Sequence, residues 1–128
     1  MKTFISLLLT LLIYGCNATP EVYLAKDAVE VNEDTVGQYW KHKKTEYSFT
    51  INNISPDKQN KDGYVSVRYL IDSNGNTFES EVLESHPKGM WDAFALKAVK
   101  HQQFVYAEEN HSRIPVYYTQ KLTFKGVK

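Results

Sequence analysis

The residues of this chain that could do chemistry are few: four histidines (His42, His86, His101 and His111), one cysteine (Cys16), and Ser85 beside His86. No two histidines stand four residues apart, the spacing that turns two imidazoles toward one zinc ion from a single helix face. One cysteine cannot complete a thiolate set. Glu84 and His86 share a face only if the strand carrying them continues. Ser85 lacks the Gly-x-Ser-x-Gly context that lifts a nucleophile onto a strained turn. No glycine-rich loop follows a strand to cradle phosphate. Trp91 and Phe94 read as core. The expectation is a protein without catalytic residues, metal or cofactor, so not an enzyme.

Composition narrows the partners. The chain has 128 residues, with 15 basic and 15 acidic side chains. Residues 1–15 hold one Lys, so without them 14 basic residues face 15 acidic ones, a net charge of −1. That balance supplies no field for nucleic acid. Lys41, Lys43 and Lys44, beside Trp40 and His42, read as a solvated stretch. Nine tyrosines favour strands and half-wet contact surfaces.

Met1 and Lys2 precede an apolar run, Phe4 to Tyr14, broken only by Ser6 and Thr10. As a helix the run spans roughly 18 Å, short of the roughly 30 Å hydrocarbon core. Residues 1–15 therefore read as a signal peptide. A lone Cys16 has no internal disulfide partner. The ending Ile13-Tyr14-Gly15-Cys16 resembles a bacterial lipobox, which implies cleavage before Cys16 and a diacylglycerol on its thiol. Asn17, in place of an acidic residue, implies the periplasmic face of the outer membrane. A secretory signal followed by a free thiol is the other reading.

Residues 16–45 read as a lipidated N-terminus and tether. Asn17, Thr19 and Pro20 are breakers, and Glu21, Asp27, Glu30, Glu33 and Asp34 leave little apolar surface to bury. As a flexible coil the stretch reaches roughly 30 Å. Val36, Tyr39 and Trp40 have helical spacing, and Trp40 could dock on the domain. Tyr47, Phe49 and Ile51 then mark a strand over Tyr47 to Ile54, ended by Ser55-Pro56-Asp57.

From Gly63 the pattern sharpens. Val65, Val67, Tyr69 and Ile71 alternate as a half-buried strand. Asp72-Ser73-Asn74-Gly75 is a hairpin turn, since Asn-Gly supplies positive φ. Phe78, Ser80 and Val82 line the returning strand, with Glu79, Glu81 and Glu84 outside. After Pro87 and Gly89, residues Trp91, Phe94, Ala95, Ala98 and Val99 form one helical stripe. Lys97, Lys100 and His101 suit that helix's C-terminal end. A polar loop, Glu108 to Arg113, leads to a last strand of Val116, Tyr118, Leu122 and Phe124, with Gln120 interrupting its apolar face and Pro115 opening it. The fold class is α+β: a two-layer sandwich, strand-strand-helix-strand, with a small antiparallel sheet on one helix, over residues 46–126.

These stretches resemble the C-terminal domain of the TonB energy-transducer family. The matching residues are Gly63 to Tyr69, Ile71-Asp72 with Asn74-Gly75, Val82 to Pro87, Trp91 to Ala98, Ile114-Pro115-Val116 and Leu122-Thr123-Phe124, about half of the chain. The Trp and Pro that the family commonly carries after the helix are replaced in Gln102-Gln103-Phe104-Val105-Tyr106. The resemblance implies a periplasmic domain that captures an extended segment of an outer-membrane transporter by pairing it with a sheet edge, which is β-augmentation. The last strand is the candidate edge, with Val116, Tyr117, Tyr118, Thr119 and Lys121 as its binding residues. Lys121 and Pro115 equally suit an edge protected against aggregation.

TonB transducers carry a spanning helix and a long Pro-rich spacer ahead of this domain, and neither reads out of this sequence. The first expectation is a transporter-assisting module held to the membrane by lipid. The alternative is a structural or accessory envelope lipoprotein that holds another envelope protein without energy transduction. Open edges also leave room for a homodimer.

Overall fold

A computed structural model describes residues 20–43 and 60–126 of the chain. Its centre is the pair formed by β3 (Gly63–Ile71) and β6 (Val116–Phe124), antiparallel along their whole length from Gly63↔Phe124 to Ile71↔Val116. β4 (Thr77–His86) lies on the other side of β3. A three-residue strand, β1 (Val29–Val31), lies parallel on the other side of β6, so the sheet order is β1-β6-β3-β4. β2 (Trp40–His42) and β5 (Phe104–Tyr106) form a separate antiparallel pair. The one α-helix among the described residues, α1 (Asp92–Lys100), packs on β4 and β3. The arrangement is α+β, as the patterning predicts.

Alternation decides which face is buried. Val65, Val67, Tyr69 and Ile71 are fully buried, and Ala95 and Val99 of α1 meet them. Trp91, immediately before α1, stacks parallel on Phe124 with ring centroids 5.1 Å apart. That contact pins the start of the helix to the end of β6. Asp92 at the first turn and Lys97 and Lys100 at the last match the helix dipole. Burying a large aliphatic or aromatic side chain here contributes about 1.5–3 kcal/mol.

The β3–β4 turn is held by Asp72. Its Oδ1 accepts from the backbone N–H groups of Asn74 and Asn76, both at 3.0 Å, and Gly75 sits at φ +82°. The returning strand departs from simple alternation. Ser66 pairs with Glu84 but Val67 with Val82, so Leu83 is an extra residue. Arg68 pairs with Glu81 and Leu70 with Phe78, which leaves Glu79 and Ser80 opposite Tyr69 alone. Glu79 takes φ +52° there. These irregularities bring Glu81 and Glu84, of opposite parity in sequence, to one face.

The tether expectation for residues 16–45 is not met where the chain is described. Residues 20–43 are fastened to the domain at three places. The N–H of Tyr23 donates to Asp72 Oδ2 (3.0 Å), that of Ser73 to the Tyr23 carbonyl (2.8 Å) and that of Ala25 to Ser73 Oγ (2.9 Å). β1 joins the sheet. Trp40 is buried, and its indole N–H donates to the Ile114 carbonyl at 2.8 Å. The helix expected from Val36, Tyr39 and Trp40 is a single 3-10 turn, Val36–Gln38, and Trp40 already belongs to β2. The docking of Trp40 is as expected; composition missed the first attachment because it joins backbone groups of Tyr23 and Ala25 to two buried polar residues, Asp72 and Ser73. The signal peptide, Cys16, the strand expected over residues 47–54 and the turn at 55–57 lie outside the described residues.

Gly75 is a position where glycine is required. Its φ is positive, and a Cβ there would collide with the Phe104 carbonyl. Gly75→Ala is expected to lower stability by roughly 2–4 kcal/mol, read as a reduced urea midpoint at unchanged slope.

Candidate functional site

The histidines do not converge. His42 is in β2 with its ring 4.5 Å from that of Phe104, and burial pushes its pKa down. His86 ends β4 and stacks on Tyr64, His101 caps α1, and His111 lies near Tyr106 in the loop before β6. Among the described residues no three His, Cys, Asp or Glu side chains form a metal-sized group. The sheet's edges carry backbone groups that can pair with another chain.

Every interior strand carries two rows of backbone donors and acceptors. β3 satisfies one row of β6. The other row is where the sequence places a partner, and it is partly taken. β1 aligns Val29↔Val116, Glu30↔Tyr117 and Val31↔Tyr118, and the N–H of Val29 donates to the Pro115 carbonyl at 3.1 Å. Beyond β1 the chain turns away. Asn32 Oδ1 accepts from the N–H groups of Asp34 (3.0 Å) and Thr35 (3.2 Å). This turn presents Glu33, whose carboxylate accepts the backbone N–H of Lys121 at 3.1 Å. The expected edge residues thus divide: Val116, Tyr117 and Tyr118 lie under β1, while Thr119 and Lys121 lie beyond it, with the Lys121 amide capped by a side chain. An edge free over its whole length is not what the fold provides. The outer side of β4 pairs with no strand among the described residues.

Side chains sort by face. Val116 and Tyr118 point into the core, where Tyr118 meets the Tyr69 ring edge-on at 5.5 Å. The Tyr69 hydroxyl lies within hydrogen-bond distance of Gln120 Oε1 (2.8 Å) and Gln102 Oε1 (2.9 Å). Gln120 interrupts the apolar face of β6 in order to satisfy this buried phenol. Tyr117, Thr119 and Lys121 take the opposite face, opposite Leu70, Arg68 and Ser66.

Two similar groupings stand on that outer face. The Arg68 guanidinium sits 4.0 Å above the Tyr117 ring and donates to both carboxylate oxygens of Glu30. The Tyr117 hydroxyl donates to Glu79 at 3.0 Å. In the second, Lys121 Nζ lies 4.2 Å from the Tyr64 ring centroid and the Tyr64 hydroxyl donates to Glu84 at 2.8 Å. The hydrogen bonds to Glu79 and Glu84 raise the pKa of the two phenols. The outer face therefore alternates cation, ring and carboxylate across four strands, which suits polar contact with another chain.

Sequence reasoning found β6 and missed β1. The only local signal was Val29-Glu30-Val31, three residues of alternation inside an acidic stretch, too short to separate from coil.

Among the described residues, one α-helix packs on a small sheet whose β6 edge takes the chain's own short β1 in parallel. Residues 56–125 match the family described as the Gram-negative bacterial TonB protein C-terminal, and since this is more than half of the chain, the protein belongs to that family. No curated protein matches the chain. The family is one of non-catalytic protein-interaction domains, which supports an envelope location and a protein-binding role.

Burial raises the pKa of Tyr69, and raises that of Tyr118 to about 12. Both are neutral in the fold, so their contribution is complete below the ordinary phenol value of about 10 and is lost as pH rises through the raised folded values. The thermal midpoint is expected to be insensitive to these two groups up to about pH 10 and to fall above it, with a shallower fall in Tyr118→Phe.

Proposed function

We propose that this protein is a periplasmic binding module that assists TonB-dependent transport across the outer membrane. It pairs an extended segment of a transporter with the β6 edge by β-strand augmentation. The observation that carries the reading is the closure of β6 on its outer side by only three paired residues and one carboxylate. A strand of that length is easily exchanged, whereas β3 holds β6 over nine residue pairs. Main-chain hydrogen bonds along residues 116–121 give affinity. Tyr117, Thr119 and Lys121, with Arg68 beside them, read alternate side chains of the guest.

The module is held at the membrane by a lipid on Cys16, after removal of residues 1–15. A lipid anchor cannot transmit a proton-driven force, so the protein works as an accessory to transport. Residues 20–43, fastened to the domain, keep it close to that anchor.

The test is affinity capture from detergent-solubilised envelopes with the mature chain as bait. Recovery of an outer-membrane transporter, abolished by Tyr117→Pro, is the expected result. This substitution removes one backbone donor from the β6 edge, and a melting curve checks that the fold persists. Recovery of other envelope proteins and no transporter would instead assign the protein to envelope structure. Mass spectrometry of the mature N-terminus is expected to show diacylglycerol on Cys16; an unmodified thiol overturns the anchor.

A further inference from the structure

We infer that residues 29–33 are a resident stand-in for the guest strand, which holds the β6 edge closed until a better-matched segment displaces it. The inference rests on the strand-addition reading above and adds its regulation and the chemistry of the guest.

Three observations carry it. The first is how lightly β1 is held. Val29 is 40% exposed and only Val31, at 7%, enters the core. The Glu30–Arg68 pair is exposed, with side-chain exposures of 63% and 29%, so it adds little to stability. The second is that firm attachments lie on both sides. Tyr23 and Ala25 are tied to Asp72 and Ser73, and Trp40 is buried with its indole bonded to Ile114. The stretch between can lift as a loop without undoing the β3–β6 pair or the helix contacts, a local opening of low free energy. The third is that the stretch ends in a side chain acting as backbone. Glu33 supplies to the Lys121 N–H the acceptor that a longer strand would offer from its own carbonyl.

The stand-in also describes what it stands in for. A guest laid along the same path runs parallel to β6. It places an acidic residue where Glu30 meets Arg68 over the Tyr117 ring, and a branched aliphatic residue where Val31 enters the core. Two positions further on, either a carboxylate or its own main chain takes the Lys121 amide. The partner is an extended segment with an acidic residue directly followed by a branched aliphatic one. A guest that only equals β1 gains nothing, because the resident is covalently attached and always present. A guest that continues in strand geometry past residue 33 gains the row of β6 that β1 leaves uncovered.

The experiment uses a peptide copying residues 27–34 of this chain, labelled for fluorescence anisotropy, and two forms of the full mature chain. One is unmodified. The other carries Val29→Pro, which removes the donor to Pro115, and Glu33→Ala, which frees the Lys121 amide; both sites are on the surface. The double variant is expected to bind the peptide about tenfold more tightly than the unmodified chain. A peptide carrying Val31→Asp is expected to lose that binding. Equal affinity for the two proteins overturns the inference, as does absence of binding to a variant that melts like the unmodified chain. If the double variant is unfolded, Glu30→Ala with Glu33→Ala serves instead, with the same direction expected. Transporter captured equally by both forms sinks the resident-strand inference and leaves the binding function intact. Transporter captured by neither sinks the binding function, and the peptide titration still decides the inference.

Discussion

The second row of backbone groups on β6 is the constraint around which this molecule is arranged. A strand buried against β3, with Trp91 stacked on its end, cannot leave its remaining N–H and C=O groups facing apolar surface. Where β6 is deepest, at Val116 to Tyr118, the chain supplies its own short strand. Where it reaches the surface, at Lys121, a carboxylate suffices. The attachment of the N-terminal segment, through buried Asp72 and Ser73 on one side and buried Trp40 on the other, exists in the geometry that delivers β1 to that row.

This division also explains the two faces. Inward residues of β6 are fixed by packing and by the Tyr69–Gln120 hydrogen bond, so they set register. Outward residues are joined into cation, ring and carboxylate groupings that remain accessible. β6 therefore combines a rigid register with an adaptable surface. The acidic residues of β4 serve the same face: Glu79 and Glu84 hold the hydroxyls of Tyr117 and Tyr64, whose rings in turn support Arg68 and Lys121. The negative charge on β4's open side also discourages edge-to-edge pairing.

The legible parts of the fold are those written in local pattern. β3, the turn at Asp72 to Gly75, the stripe on α1 and the last strand each follow from period or from turn chemistry, and the family resemblance rests on the same residues. The glutamates of β4 were readable as an outer face, but their change of parity needed an extra residue at Leu83 that no period reveals. β1 and β5 are three residues each and carry almost no periodic signal; their existence depends on long-range partners, Val116 to Tyr118 and Trp40 to His42. The polar anchors are equally silent in composition, because Asp72 reads as a turn residue and its second role, accepting the Tyr23 amide, appears only when residues 49 positions apart meet. For the site, the sequence pointed to β6, the strand whose outer row β1 joins. It could not show that part of that outer row is already paired with β1.

The central claim is that an extended partner pairs with β6 in the place of residues 29–33. Amide hydrogen exchange resolved by residue, on the protein alone and bound to its captured partner, tests this directly. The account predicts that amides of residues 29–31 lose protection in the complex while those of Tyr117, Thr119 and Lys121 keep or gain it. Unchanged protection at residues 29–31, with new protection along Thr77 to His86 of β4, would contradict it and move the binding edge to the opposite side of the sheet.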